Sequence, residues 1–366
     1  PFVASPVSKS KPNAEPVAVD PMPHGATALP AVSVDTYNAE LRDAEGFIGD
    51  RASRRAFTAI LDDWRDRLKD ATGADPFGRA RTENLGRQEL GRLLGRGDAD
   101  QAAVVFGAVE EFAQELAGVV RRFLRLKDWA GTERIAIGGG FRGGRLGELA
   151  IARASALLIT ENRDAPPLRP IRHDPDEAGL VGCAHLAPAW MFRGHDAVLG
   201  VDIGGTNLRA GVVALGRSRR GAALANAKPW RSDLWRHADA EPERDAVVKK
   251  LAAMLTRLER QARRHGLRVA PFGGVGCPGL IAADGTIERG GQNLPGGNWE
   301  GDRFNLADAL REAIPAIGGH PTMVVVHNDA VVQGLSELPD MLDVERWGVM
   351  TVGTGLGNAR FTNRRN

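Results

Sequence analysis

The stretch "AVLGVDIGGTNLRAGVVAL", residues 197–215, decides how this chain is read. An apolar run enters a turn of Gly204, Gly205, Thr206 and Asn207, and a second apolar run leaves it. The glycines let backbone N–H groups approach an anion closely, and Thr206 and Asn207 add side-chain donors. Asp202, at the end of the first run, can hold Mg²⁺ through water. By itself this pattern also fits a plain hairpin. Such a phosphate turn usually stands near the start of a nucleotide-binding domain, yet almost two hundred residues precede it here.

Composition narrows the classes. A chain of 366 residues is long for one core, so two domains are expected. With 43% hydrophobic and 26% charged residues it reads as a soluble globular protein. The net charge of +2 points to no nucleic-acid and no membrane partner. Two distant cysteines, Cys183 and Cys277, exclude a disulfide framework and a Cys-rich zinc site, and fit a reducing cytoplasm.

Residues 1–35 are rich in Pro, Ala and Ser without periodicity and read as an extended arm. From Thr36 to about Arg125 the pattern is helical. Phe57, Ile60, Leu61, Trp64 and Leu68 share one face. Val105, Val109, Phe112, Leu116, Val119 and Phe123 share another, with Asp98 or Asp100 as N-cap. "ERIAIGGG" is a strand, "RLGELAIARASALLI" a helix and "LRPIRH" a strand. In "DPDEAGLVGCAHLAPAW", Asp174, Pro175 and Glu177 predict a helix opened by a capping box.

After the central turn come a third strand at "ALANAKPW", a long helix ending at Gly266 and the strand "VAPFGGVGCPG". The helix "LADALREAI", the strand "TMVVVHND" and the helix "AVVQGLSEL" follow. "RWGVMTVGTGLGNARFTNR" is two strands around a second turn, Gly353, Thr354, Gly355, Leu356 and Gly357. Alternating strands and helices mark an α/β fold.

Two further segments carry chemistry. "VVVHNDAVV" presents Asn328 and Asp329 at the C-terminal end of a buried strand, the rim where α/β ligands bind. Asp329 there either takes a proton from a hydroxyl attacking a phosphoryl group or caps the following helix. "GVGCPGLIAADGTIERGGQNLPGGNW" supplies a turn at Gly279, a hairpin, and Asn293 and Asn298 beside Trp299. Neutral amides beside an aromatic suit sugar hydroxyls.

In this order and spacing, residues 199–357 resemble the N-terminal half of a ROK-family sugar kinase, of the actin/hexokinase/Hsp70 superfamily. The family's remaining half resembles the front of this chain. Residues 97–126 are similar to its long helix, Gly138, Gly139 and Gly140 to its adenosine loop, and residues 176–187 to its final helix. The resemblance therefore implies a two-domain, actin-like (ribonuclease H-like) α/β fold in circularly permuted order. One domain would combine residues 36–195 with 346–366, and the other would be 196–345. The strands "ERIAIGGG", "RWGVMTV" and "NARFTN" would share one sheet, with the arm starting beside it.

The resemblance further implies an ATP-dependent hexokinase or glucokinase, converting glucose to glucose 6-phosphate. Asp329 would be the general base and Asn328, Asn293, Asn298 and Gly279 would line the sugar. Asp202 would serve Mg²⁺. Gly204, Gly205, Thr206 and Asn207 would hold phosphate opposite Gly353, Thr354, Gly355 and Gly357, with Gly138, Gly139 and Gly140 opening a helix near the purine. Val331 departs from the family's Asn-Asp-Ala-Asn, and its Glu-x-Gly-His and cysteine segments are missing. Glu45 and His24 are the nearest replacements by order. The hexose, ATP or polyphosphate as donor, and a homodimer stay open. So does a sugar-binding or regulatory protein without turnover. A sugar-sensing repressor would need a winged-helix domain, for which the arm is too short.

Overall fold

The computed structural model describes residues 22–96, 98–216, 224–301 and 304–364. Its first elements are β1 (Val32–Tyr37), a hairpin of β2 (Arg42–Asp43) and β3 (Gly46–Phe47), and helices α1 (Arg54–Thr72), α2 (Arg87–Arg96) and α3 (Ala99–Leu124). Then come β4 (Arg134–Gly138), α4 (Gly144–Glu161), β5 (Leu168–Pro170) and α5 (Ala178–Cys183). The middle holds β6 (Ala197–Ile203), β7 (Leu208–Ala214), β8 (Lys228–Trp235), α6 (Arg244–Arg264) and β9 (Val269–Cys277). A hairpin of β10 (Leu280–Ile281) and β11 (Ile287–Arg289) precedes α7 (Leu306–Ala313). Another, β12 (Ala316–Ile317) and β13 (His320–Pro321), precedes β14 (Met323–Asn328) and α8 (Asp329–Leu335). β15 (Arg346–Val352) and β16 (Leu356–Asn363) complete the series.

Two five-stranded sheets organise these elements. The first has the order β8-β7-β6-β9-β14, with β6, β7 and β8 antiparallel and β9 and β14 added in parallel. The second has the order β1-β16-β15-β4-β5, with β15, β16 and β1 antiparallel and β4 and β5 added in parallel. The pattern is the same. In the second sheet, however, the third antiparallel strand comes from the front of the sequence.

Side-chain alternation sorts each strand between two cores. In β15, Trp347 and Val349 face the centre of the molecule, whereas Met350 and Val352 meet the aromatic cluster of α1, α3 and the α4 approach. In β9, Phe272 faces the centre and Val275 and Cys277 pack under α6 and α7. The predicted face of α3 is buried, and Asp98 is its N-cap.

At the centre α5 packs on β6 and β9 of the first sheet, while α8 packs on β15 and β16 of the second. The two helices cross in direct contact. A Cβ at Gly182 of α5 would overlap the Val332 carbonyl oxygen of α8, and one at Gly334 would stand 2.8 Å from the Phe361 ring. Only glycine permits that approach.

Several expectations need correction. Of the arm, residues 1–21 lie outside the described residues, and its end is not free but part of β1, where Val32 and Val34 are buried beside β16. Residues 36–47 are not helical but hold the end of β1 and the β2–β3 hairpin, and only a 3₁₀ turn at Ile48–Ala52 precedes α1. The segment before α5 lacks the predicted capping box. Asp174 accepts the Asp176 N–H, Glu177 makes no side-chain cap, and the α-helix starts at Ala178. The third central strand lies later than expected, at Lys228–Trp235, and part of "ALANAKPW" falls outside the described residues. Among the described residues no helix is long and apolar enough to cross a membrane.

Candidate functional site

The β6–β7 turn is closed by the Gly204 N–H donating to the Asn207 carbonyl at 2.9 Å, and His237 Nε2 lies 2.8 Å from the Gly204 oxygen. Asp202, just before it, is buried. Burial raises its pKa, and the nearby Arg209 guanidinium opposes that rise. Arg209 Nη1 is 3.5 Å from Asp202, and its Nε donates to Asp176 at 2.8 Å. The guanidinium thus ties the first turn to the segment before α5. Sequence reading missed Arg209, although a cation two residues beyond a Gly-Gly-Thr-Asn turn was the available signal.

At the end of β14 the residues divide two tasks. Asn328 is the N-cap of α8, its Oδ1 accepting from the N–H groups of Ala330 at 3.0 Å and Val331 at 3.3 Å. Its Nδ2 donates to the Gly279 carbonyl at 2.9 Å. The cap is therefore supplied by Asn328. Asp329 Oδ1 accepts the adjacent Ala330 N–H, at 2.9 Å. The Asp329 carboxyl is pushed up to about 7, first by desolvation and then by the charge of Asp202. Both carboxylates also raise the buried Cys277 thiol, after desolvation itself.

The β15–β16 turn is closed by the Gly353 N–H donating to the Gly355 carbonyl at 2.9 Å. The Arg54 N–H at the start of α1 donates to the Gly353 oxygen at 2.9 Å. Gly139, at φ +80°, lies so close that a Cβ would stand 2.5 Å from the Val352 oxygen. The two glycine segments are thus neighbours. Gly357 packs beside Thr351 and Ala330, which brings this hairpin to the start of α8. Gly140 does not open an α-helix directly. It begins a single 3₁₀ turn, and α4 follows from Gly144.

The sugar-loop residues separate. Gly279, at φ +105°, joins Asn328 at the strand end, and a Cβ there would stand 2.5 Å from the Arg289 oxygen. Asn298 is exposed at φ +56°, its carbonyl accepting from Arg244 Nη1 at 2.7 Å near the start of α6. Trp299 is no platform for a sugar. It is 1% exposed, stacks edge-on with Phe304 and donates to the Pro295 carbonyl at 2.6 Å. The Asn293 side chain lies outside the described residues. Glu45 is exposed and ion-paired with Arg51 at 2.7 Å, within the β2–β3 region. His24 is buried, with Nδ1 accepting the Val326 N–H at 2.9 Å.

Among the described residues no group of three His, Cys, Asp or Glu side chains could hold a metal ion.

No family model and no curated protein matches this chain. Among solved structures it is similar to the ROK hexokinase from Thermus thermophilus, at 28% identity over 46% of this chain and 48% of that one, with a TM-score of 0.33. It is also similar to a ROK-family glucokinase from Streptomyces griseus in complex with glucose and AMPPNP, at 23% identity over 46% of each chain, with a TM-score of 0.34. The chain spans about half the length of these structures.

Proposed function

We propose that the protein transfers a phosphoryl group from MgATP to a hexose hydroxyl, with glucose to glucose 6-phosphate as the leading reaction. One observation carries the reading. Asn328 takes the helix cap, and the Asp329 carboxylate next to it feels the charge of Asp202, with Gly357 of the second hairpin packed on Ala330. A carboxylate raised to about 7 is matched to accepting a proton near neutral pH.

In this reading Asp329 accepts the hydroxyl proton, while Asn328 and Gly279 orient the sugar. Residues 204–207 and 353–357 hold the donor phosphates, with Gly138, Gly139 and Gly140 on the purine side. Asp202 would hold Mg²⁺, which neutralises charge on the phosphates when bound. Closure of the two sheets around the substrates would exclude water. The likeness of the two strand orders supports reading the chain as a ROK kinase in permuted order, with residues 36–195 and 346–366 as one domain and 196–345 as the other.

A sugar-binding protein without turnover is the second reading, favoured by the Arg209 contact to Asp202 and by the pairing of Glu45 with Arg51. ADP release from MgATP in the presence and absence of each common hexose separates the two. Hexose-dependent ADP is expected with ATP. Its absence, with both ATP and polyphosphate as donors, would sink the catalytic reading.

A further inference from the structure

The strand end that presents Asn328 and Asp329 is held from the front of the chain. Residues 24–26 lie along β14, with the Gly25 N–H donating to the Val326 carbonyl at 3.0 Å. His327 is fully buried. Its Nε2 stands 3.1 Å from the Ala26 carbonyl, and its Nδ1 accepts the Asn328 N–H at 2.7 Å. A carbonyl only accepts and an amide N–H only donates, so the ring is neutral with its proton on Nε2. Desolvation holds its pKa down at about 4, which keeps the ring neutral, while the two hydrogen bonds set the tautomer.

Tyr37, the only tyrosine of the chain, closes the arrangement. Its ring meets His327 edge-on at 5.3 Å between centroids. Its hydroxyl accepts the Ile281 N–H at 3.3 Å and donates to the Ile281 carbonyl at 3.4 Å. Two residues before Ile281, the Gly279 carbonyl accepts from Asn328 Nδ2. The contacts thus form a ring through Tyr37, Ile281, Gly279, Asn328 and His327. The N–H and Oδ1 of Asn328 are committed within it or to α8, and one of its two Nδ2 hydrogens goes to Gly279, which leaves the other for a ligand. Tyr37 itself ends β1 of the second sheet, whereas the other four members lie in or beside the first.

We infer that Tyr37 is a positioning residue for the hexose site, setting the spacing between the Gly279 loop and Asn328 from across the sheet boundary. This rests on the hexose-kinase reading above. Both hydroxyl contacts are long, so their expected contribution is to placement of the loop more than to overall stability.

Tyr37→Phe keeps the ring on His327 and removes only the hydroxyl. It is expected to raise the glucose KM about three- to tenfold, with the ATP KM and thermal midpoint close to those of the parent. Amide exchange at Ile281 and Asn328 should quicken about tenfold. Tyr37→Leu, which also frees the His327 ring, should lower kcat in addition. A glucose KM within twofold of the parent, or a fall in stability with both KM values rising together, would overturn the inference. Absence of hexose-dependent ADP release by the parent would defeat the kinase reading instead. Exchange then decides the ring on its own: unchanged protection at Ile281 and Asn328 in Tyr37→Phe overturns it, and selective loss there supports it.

Discussion

The two sheets share a strand order but reach their register by different means. In the first, β6 and β7 are joined by a four-residue turn, which sets pairs such as Val201 with Ala210. In the second, β16 and β1 pair Asn363 with Val32, partners from opposite ends of the sequence. Polar side chains specify that pairing. Arg360 donates to Asp35 at 2.5 Å, Thr362 Oγ1 donates to the same carboxylate at 2.9 Å, and the Asn358 amide bonds the N–H and C=O of Ala39, each at 3.0 Å. A strand pair without a turn needs long-range bonds of this kind, because a one-residue slip would turn its buried face outward.

The largest expected effect tests whether the sheets differ in chemistry as well as connectivity. β14 and β5 occupy corresponding edges, yet the reading gives a base only to the first. Asp329→Asn should lower kcat about 10²–10⁴-fold and leave glucose binding, while Asp174→Asn after β5 should stay near the parent. Comparable losses in both, measured by coupled assay, would remove the asymmetry.

The helix crossing should come next. Gly182→Ala forces a Cβ into a backbone carbonyl that cannot move aside and should cost about 3 kcal/mol in urea unfolding. Gly118→Ala, where a Cβ meets nothing within 4 Å, should be neutral or stabilising. Equal midpoints would mean that the crossing is loosely packed.

Asp35→Ala should destabilise by about 2 kcal/mol, since it leaves the Arg360 guanidinium without its carboxylate. A double-mutant cycle with Arg360→Met would sharpen the value, and a coupling near zero would return the register to apolar contacts alone.

The smallest effect is a pH slope. Glu337 accepts the Arg172 N–H at 2.9 Å, joining the tail of α8 to the segment before α5. Burial pushes its carboxyl up to about 7. The folded state therefore binds more protons than the unfolded state, from the ordinary carboxylate range up to about pH 7. The resulting stability is fully present below that window and is lost as pH rises through it. Glu337→Gln should match the parent near pH 4 and exceed it at pH 8. Parallel curves across that range would contradict the assignment.

Much of this architecture was legible because burial imposes a period. The six apolar residues of α3 recur at helical spacing and are all buried. The sharing of one sheet by "ERIAIGGG", "RWGVMTV" and "NARFTN" was expected from the incompleteness of each half, and the strand order contains all three. β1 escaped notice because only Val32 and Val34 carry its alternation within a Pro-rich segment. At the site, Asn328 and Gly279 were singled out in the sequence, but their direct bond was not. Trp299 looked like a ligand platform because an aromatic beside amides does not reveal whether it faces solvent or core. Tyr37 and His327 carried no local signal at all, since each matters only through the partner that folding brings to it.

The separation of β4 from β15 has a consequence for the growing chain. β4 meets β5 on one edge within about forty residues, but it is translated about two hundred residues before β15, its parallel partner on the other edge. At a synthesis rate of about 5–20 residues per second, that is a wait of roughly 10–40 s. During that interval α3, α4 and β5 can gather around Ile135 and Ile137, but the β4 edge that later takes β15 stays open. The first sheet has no such delay, since its strands lie within residues 197–328 and emerge together. The nascent protein should therefore acquire its middle before its beginning, and the early segment is where a ribosome-associated chaperone would find an open strand edge.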